Sequence, residues 1–259
     1  MAVVFDGILN RTPTPAAQLN RALPPQVGAI ISKALQKDRN VRYQSASEIL
    51  IDLEAYSSPL QTKIAVSSSV NPSVFGQAVT FTATVSVEAP ASGRPVGTVR
   101  FLDGASPLGR AALDSSGEAT LITSVLAAGW HSITTAYEGG DRYSESTSSV
   151  LDQIVTKAST TTELGLTATV RSVFGRLVSF LRPEDLTASV TALAPGSGTP
   201  AGTVKFQNGA RTLGARKLDA SSRATLSGPA LSVGPNWITA EYGGDGNFEG
   251  STSPVLHSS

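Results

Sequence analysis

From Val79 to Val87 apolar and polar positions alternate without a break: Val79, Phe81, Ala83, Val85 and Val87 fall on one side, and Thr80, Thr82, Thr84 and Ser86 on the other. A period of two predicts a strand with one dry and one wet face, and the dry face has to meet a second sheet. Upstream the period changes. Val27, Ile30, Ile31, Ala34 and Leu35 fall at i, i+3, i+4, i+7 and i+8, which predicts a helix with one apolar stripe. Pro24 and Pro25 stand before it, where missing amide donors do least harm. A second helix is signalled by "SASE": Ser45 can accept from the amide three residues on while Glu48 reaches back. Its apolar face is Ala46, Ile49, Leu50 and Leu53. A third apolar cluster, Val3, Val4, Phe5, Ile8 and Leu9, precedes "NRTPTP", whose prolines stop regular structure.

The helical period occupies residues 1–57, and "YSSPLQT" marks the change, with residues 58–61 a short linker. From Thr62 the chain repeats itself. "SVFGQAVTF" at Ser73 returns as "SVFGRLVSF" at Ser172, an offset of 99, and "GTVRFLDGA" at Gly97 returns as "GTVKFQNGA" at Gly202, an offset of 105. The difference is a six-residue insertion, placed at "LRPEDL", Leu181 to Leu186. A period near one hundred residues means whole domains rather than solenoid turns. The units are residues 62–157 and 158–259. Short strands with turn signals between them predict an antiparallel sandwich in each. Asp103-Gly104 and Asn208-Gly209, at equivalent positions, predict two-residue type I′ hairpins. The fold class is therefore mainly β: two tandem sandwiches behind a short N-terminal α-helical segment.

Composition narrows the function. Lysine plus arginine equals aspartate plus glutamate at 20 each, which removes the broad electrostatic argument for nucleic acid or an anionic membrane surface. No cysteine is present, so disulfides and thiolate metal sites are excluded. No window approaches the apolar length of a membrane span. The start "MAVVFDGILNR" has an acidic residue where a secretory leader carries its basic segment, so no leader is expected there.

Two resemblances follow from the residues themselves. The run from "VVFDGILNRTPTP" to "KDRNVRYQSASEILIDLEAY" resembles the last three helices of a bacterial serine/threonine protein kinase C-lobe. That resemblance implies that Arg42, in "KDRNVR", pairs with a glutamate near the end of the activation segment, which this sequence lacks. The glycine-rich loop, phosphate-holding lysine, catalytic aspartate and metal-binding aspartate of a kinase are also missing, so no catalytic residue, cofactor or metal ligand is assigned. The pattern "NPSVFGQAVTFTATV", "GTVRFLDGASPLG", "LDSSGEATL", "LAAGWHSITTAYEGGDRYSESTSS" is similar to bacterial immunoglobulin-like (Ig-like) repeats, and the second unit repeats it. This implies a non-enzymatic spacer or adhesive module at a cell surface, with a protein or carbohydrate partner. The alternative is a piece of a larger kinase carrying such repeats, itself inactive. No sequence feature specifies the ligand, the oligomeric state or export.

Individual residues carry weaker expectations. Asp141, Asp245 and Asn247 lie in Gly-rich loops that offer oxygen atoms, but a calcium loop needs more ligands and a closing bidentate acid, and Asp and Asn favour turns by themselves. Trp130 and Trp237 would stack on sugars or partners if exposed; a core or partly covered edge is the expectation. His131 and His257 have no companions at ligand spacing and are expected to be ordinary surface residues. Asp38 and Asp52 are expected to face solvent near helix ends. Glu184 and Asp185 tip the insertion, where Pro183 must bend or end a strand.

Overall fold

The computed structural model describes residues 12–140, 142–167, 172–173, 176–177, 185–232 and 234–258. The helical segment contains α1 (Ala16–Leu19), α2 (Pro25–Ala34) and α3 (Ala46–Ser57). Ser45 caps α3 as its spacing predicts, its hydroxyl accepting from the Glu48 amide at 3.3 Å. The Glu48 carboxylate instead accepts from Gln44, one residue before the cap, at 3.0 Å. None of the three helices buries a residue. The apolar cluster Val3 to Leu9 lies outside the described residues.

The first sandwich contains β1 (Thr62–Ser68), β2 (Ser73–Val74), β3 (Val79–Val87), β4 (Thr98–Asp103), β5 (Ser106–Ala112), β6 (Glu118–Thr123), β7 (Gly129–Tyr137), β8 (Ser146–Thr147) and β9 (Leu151–Thr156). One sheet has the order β1-β3-β6; the other runs β2-β9-β7-β4-β5, with β8 on β7. The pairs are antiparallel except β2 with β9. The alternation of β3 is realised: Val79, Phe81, Ala83 and Val85 are buried and meet Val99, Phe101, Ile133 and Tyr137 of the facing sheet.

The second sandwich repeats this plan with β10 (Thr160–Thr167), β11 (Ser172–Val173), β12 (Arg176–Leu177), β13 (Asp185–Ala192), β14 (Thr203–Asn208), β15 (Arg211–Lys217), β16 (Arg223–Leu226), β17 (Asn236–Tyr242), β18 (Ser251–Thr252) and β19 (Leu256–Ser258). Its sheets are β10-β13-β16 and β15-β14-β17-β18, with β19 on β17. Val204, Phe206, Ile238 and Tyr242 stand where Val99, Phe101, Ile133 and Tyr137 stand in the first.

Register corrects the position of the insertion. Ser68 pairs with Phe81 in the first repeat, and Leu166 pairs with Leu186 in the second, so Leu186 is the counterpart of Phe81. It is fully buried and belongs to the strand. The six extra residues therefore fall between Val173 and Leu186 and do not include Leu186. Asp185 opens β13, and its carboxylate accepts from the Gly228 amide at 3.3 Å. Pro183, Glu184, Val178 and Phe180 lie outside the described residues.

The hairpins are also displaced by one residue from the expected turn. Asp103 pairs with Ser106 and Asn208 with Arg211, which makes Gly104-Ala105 and Gly209-Ala210 the central pairs. Both glycines have φ of 55°, and neither alanine has positive φ. Glycine alone at the first central position is the type II′ pattern rather than I′.

Candidate functional site

Parity along β7 and β17 decides what each repeat shows to solvent. Ile133, Thr135 and Tyr137 point into the first sandwich, so Trp130, three positions before Ile133, points out and is 75% exposed. In β17, Asn236, Ile238, Ala240 and Tyr242 are buried, which turns Trp237 outward at 53% exposure. The expectation of a core or covered edge is thus corrected for both. The signal was available: counting from Ile133 or Ile238 by twos gives the facing of each strand.

Both tryptophans stand on the outer face of the larger sheet of their repeat. Trp130 pairs across to Ile154 of β9, with Asp152 opposite Ser132 beside it. Trp237 pairs across to His257 of β19, and Val255 nearby is about half exposed. They are not equivalent positions: the counterpart of Trp130 is Pro235 and that of Trp237 is Ser132. Farther along these faces lie ion pairs, Arg100 and Arg110 to Glu138 at 3.3 and 3.4 Å and Lys205 to Glu241 at 3.5 Å. Each face thus presents an exposed indole, which offers a flat apolar surface and one N–H donor, with polar residues beside it, Ser132 and Asp152 in the first repeat and His257 in the second, and the ion pairs at a distance along the sheet.

His131 is not an ordinary surface residue. Its Nδ1 lies 2.6 Å from the Asp103 carboxylate and its Nε2 lies 2.8 Å from the Ala127 carbonyl. The other Asp103 oxygen accepts from the Ser132 amide at 3.1 Å. Burial lowers the imidazole pKa, but the Ala127 carbonyl and the Asp103 carboxylate outweigh it, and the net shift is upward. The second repeat replaces this clasp with amides: Asn208 donates to Asn236 Oδ1 at 2.6 Å and accepts from the Trp237 amide at 2.9 Å. His257 is exposed as expected.

The Gly-rich loop of the second repeat is closed by its own backbone. Asp245 accepts from the amides of Asn247, Phe248 and Ala201 at 2.8, 3.0 and 2.9 Å. Burial raises its pKa, yet these three donors bring it below the ordinary value. Oxygens engaged by amide donors suit an anion that pins a turn, not a cation ligand. Asn247 instead accepts from the Ala128 amide of the first repeat at 2.9 Å. Asp141 lies outside the described residues, and among those described no cluster of His, Asp or Glu suits a metal.

In the helical segment, Asp52 is less free than expected, since it accepts from Lys33 at 3.2 Å and from the Tyr43 hydroxyl at 2.6 Å. Asp38 accepts from the Asn40 amide at 2.8 Å in the α2–α3 loop. Arg42 is exposed. Among the described residues no helix is long and apolar enough to cross a membrane.

The model of the bacterial Ig-like domain (group 3) matches residues 66–156 and again 154–258, well over half of the sequence. The chain belongs to this family. Both matched segments coincide with the repeated sandwiches, and the helical segment lies outside them. No curated protein matches the sequence. Similar solved structures include the Clostridium thermocellum CbhA fibronectin(III)-like modules, 20% identical over 75% of this chain and 90% of that one, TM-score 0.28. Another is the Yersinia pseudotuberculosis adhesin InvE, 15% identical over 75% of this chain and 58% of that one, TM-score 0.34. The family assignment rests on the domain match and not on these structures.

Proposed function

We propose that these tandem Ig-like repeats form a non-enzymatic binding module, with the outer sheet faces bearing Trp130 and Trp237 as its contact surfaces for a protein or carbohydrate partner. The observation that carries this reading is the exposure of Trp130, 75%, on the regular surface of a strand. A tryptophan covered by a partner removes about 150–250 Å² from water, and buried aromatics dominate interface energetics. Rigid strands supply the fixed platform that such a contact needs. The spacer role expected for Ig-like repeats is compatible with the same architecture and requires no partner.

The chain contains two tryptophans, both exposed, so its intrinsic fluorescence reads these faces directly. Titration with a panel of neutral and acidic oligosaccharides and soluble proteins is expected to shift the emission to the blue for at least one class. Trp130→Ala and Trp237→Ala are expected to weaken that binding by roughly tenfold or more, the range of an interface anchor. A double variant that binds as well as the wild type overturns the assignment, and the absence of any binding leaves the spacer role alone.

A second reading concerns the helical segment. Leu50 and Ile51 of α3 are 54% and 62% exposed, and no residue of the three helices is buried. Apolar helix faces that none of the described residues buries support the alternative of a lobe fragment that belongs against a larger body, as the kinase resemblance implies. Residues 1–57 carry none of the phosphate-binding or base motifs of a kinase, so this reading assigns the segment itself no catalytic role.

A further inference from the structure

The two repeats receive the chain that precedes them in the same way. Leu60 donates to the Arg142 carbonyl at 2.7 Å and accepts from the Ser144 amide at 2.9 Å. Ala158 donates to the Asn247 carbonyl and accepts from the Glu249 amide, both at 2.9 Å. The residues around these clamps correspond one by one: Ala91 with Gly196, Ser92 with Ser197, Gly93 with Gly198 and Tyr143 with Phe248. What fills the two poles differs.

At the pole of the second repeat the filler comes from the first. Phe75 of "SVFG" stands edge-on to Phe248, with ring centroids 5.2 Å apart and planes at 82°. A Cβ on Gly198 would lie 3.2 Å from both rings, so the glycine face is the floor on which Phe75 rests. A Cβ on Gly196 would lie 2.5 Å from that of Ala158, so these two small residues pack directly together beneath the Phe75 backbone. Ser197 completes the seat, its amide donating to the Phe75 carbonyl at 3.3 Å and its hydroxyl to the Gly76 carbonyl at 2.8 Å. At the pole of the first repeat, a Cβ on Gly93 would meet Tyr143 and, at 3.5 Å, the Leu60 Cδ1. Leu60 therefore stands on the glycine face that Phe75 occupies in the second repeat.

We infer that the pole of each repeat is a socket for the aromatic-tipped "SVFG" loop of the repeat before it, and that position 60 or 158 decides whether the socket is open. Alanine at 158 leaves the glycine face to Phe75, and Gly196 lets the incoming loop settle. Leucine at 60 fills the same face from within. The first and second repeats are thereby locked together, whereas at the first pole Leu60 holds the glycine face against an incoming loop, beside a recess that Gln26 of the helical segment lines together with Arg142 and Tyr143. The inference is independent of whether the tryptophan faces bind a partner.

A double-mutant cycle in the full chain tests it, read as the melting of the second repeat. Ala158→Leu with Phe75 present puts two side chains on one glycine face and is expected to lower that melting by roughly 5–15 °C, the range of overpacking in a small domain. Phe75→Ala empties the face and is expected to lower it as well. The double variant is expected to recover most of the loss, because leucine then takes the vacated place as Leu60 does in the first repeat. Distances between spin labels on cysteines introduced at Thr120 and Thr191 should be narrowly distributed in the wild type and broad in the folded double variant. Additive losses, unchanged melting in both single variants, a double variant that does not fold, or a narrow distribution in the double variant each overturn the inference.

Discussion

At the scale of single residues, the two repeats answer one structural need with different chemistry. The residue that ends the first strand of each hairpin reaches sideways to hold the neighbouring strand. In the first repeat that hold is Asp103 with His131, and in the second it is Asn208 with Asn236. Only the first contains an imidazole, whose ordinary pKa is about 6.5. His131 is raised in the folded state despite burial, so it binds its proton more tightly folded than unfolded. The stabilisation is fully present below the unfolded histidine value of about 6.5 and is lost as pH rises through the higher folded value. The first repeat should therefore melt at higher temperature at pH 5.5 than at pH 8.5 through this residue, while the amide clasp contributes no such slope to the second. Asp103→Asn removes the charge partner and should flatten the difference. Melting curves of the full chain across this pH range, with and without Asp103→Asn, check it; a wild-type slope that survives the substitution unchanged would refute the clasp as its source.

At the scale of elements, the hairpins show what local sequence can and cannot specify. The Asp-Gly and Asn-Gly pairs located the positive-φ glycines, because that need is local. They did not fix which residue ends the ladder. Asp103 is held in the strand by His131, a partner 28 positions away, and no short-range turn signal contains that contact. The strand pattern of β3 was legible because five alternating residues share one sheet face, and the outward facing of Trp130 was legible by the same parity. The position of the insertion was not, since aligning "SVFG" repeats cannot show that Leu186, and not Phe180, takes the place of Phe81. The hairpin has its own test. Gly104 has φ of 55°, and a Cβ there would meet nothing within 4 Å, so a substitution costs backbone strain without a clash. Gly104→Val should destabilise the first repeat by about 1–3 kcal/mol, whereas Gly104→Asn, which tolerates this region better, should cost less. Denaturant titration of the two variants gives the comparison, and equal losses would mean that φ is not the cause.

At the scale of the whole molecule, the sandwiches and the helices differ in how they are held. Each sandwich closes around fully buried rings, Phe81, Phe101 and Tyr137 in the first and Phe206 and Tyr242 in the second, and Phe75 joins the two. The helices are held by surface contacts such as Lys33 and Tyr43 on Asp52, which contribute little in water. Short helices without buried packing are marginal, and segments of low local stability open first. Lys33, Lys37, Arg39 and Arg42 place trypsin sites within this segment. Brief digestion of the native chain should therefore cut between residues 33 and 42 well before it cuts the repeats, leaving a fragment that contains both sandwiches and melts as they did in the intact protein. Mass spectrometry of the time course identifies the order. Cleavage within the repeats at a rate equal to that in the helices would show that the helical segment is packed as firmly as the sandwiches, and a fall in their melting temperature after its removal would show that it supports them.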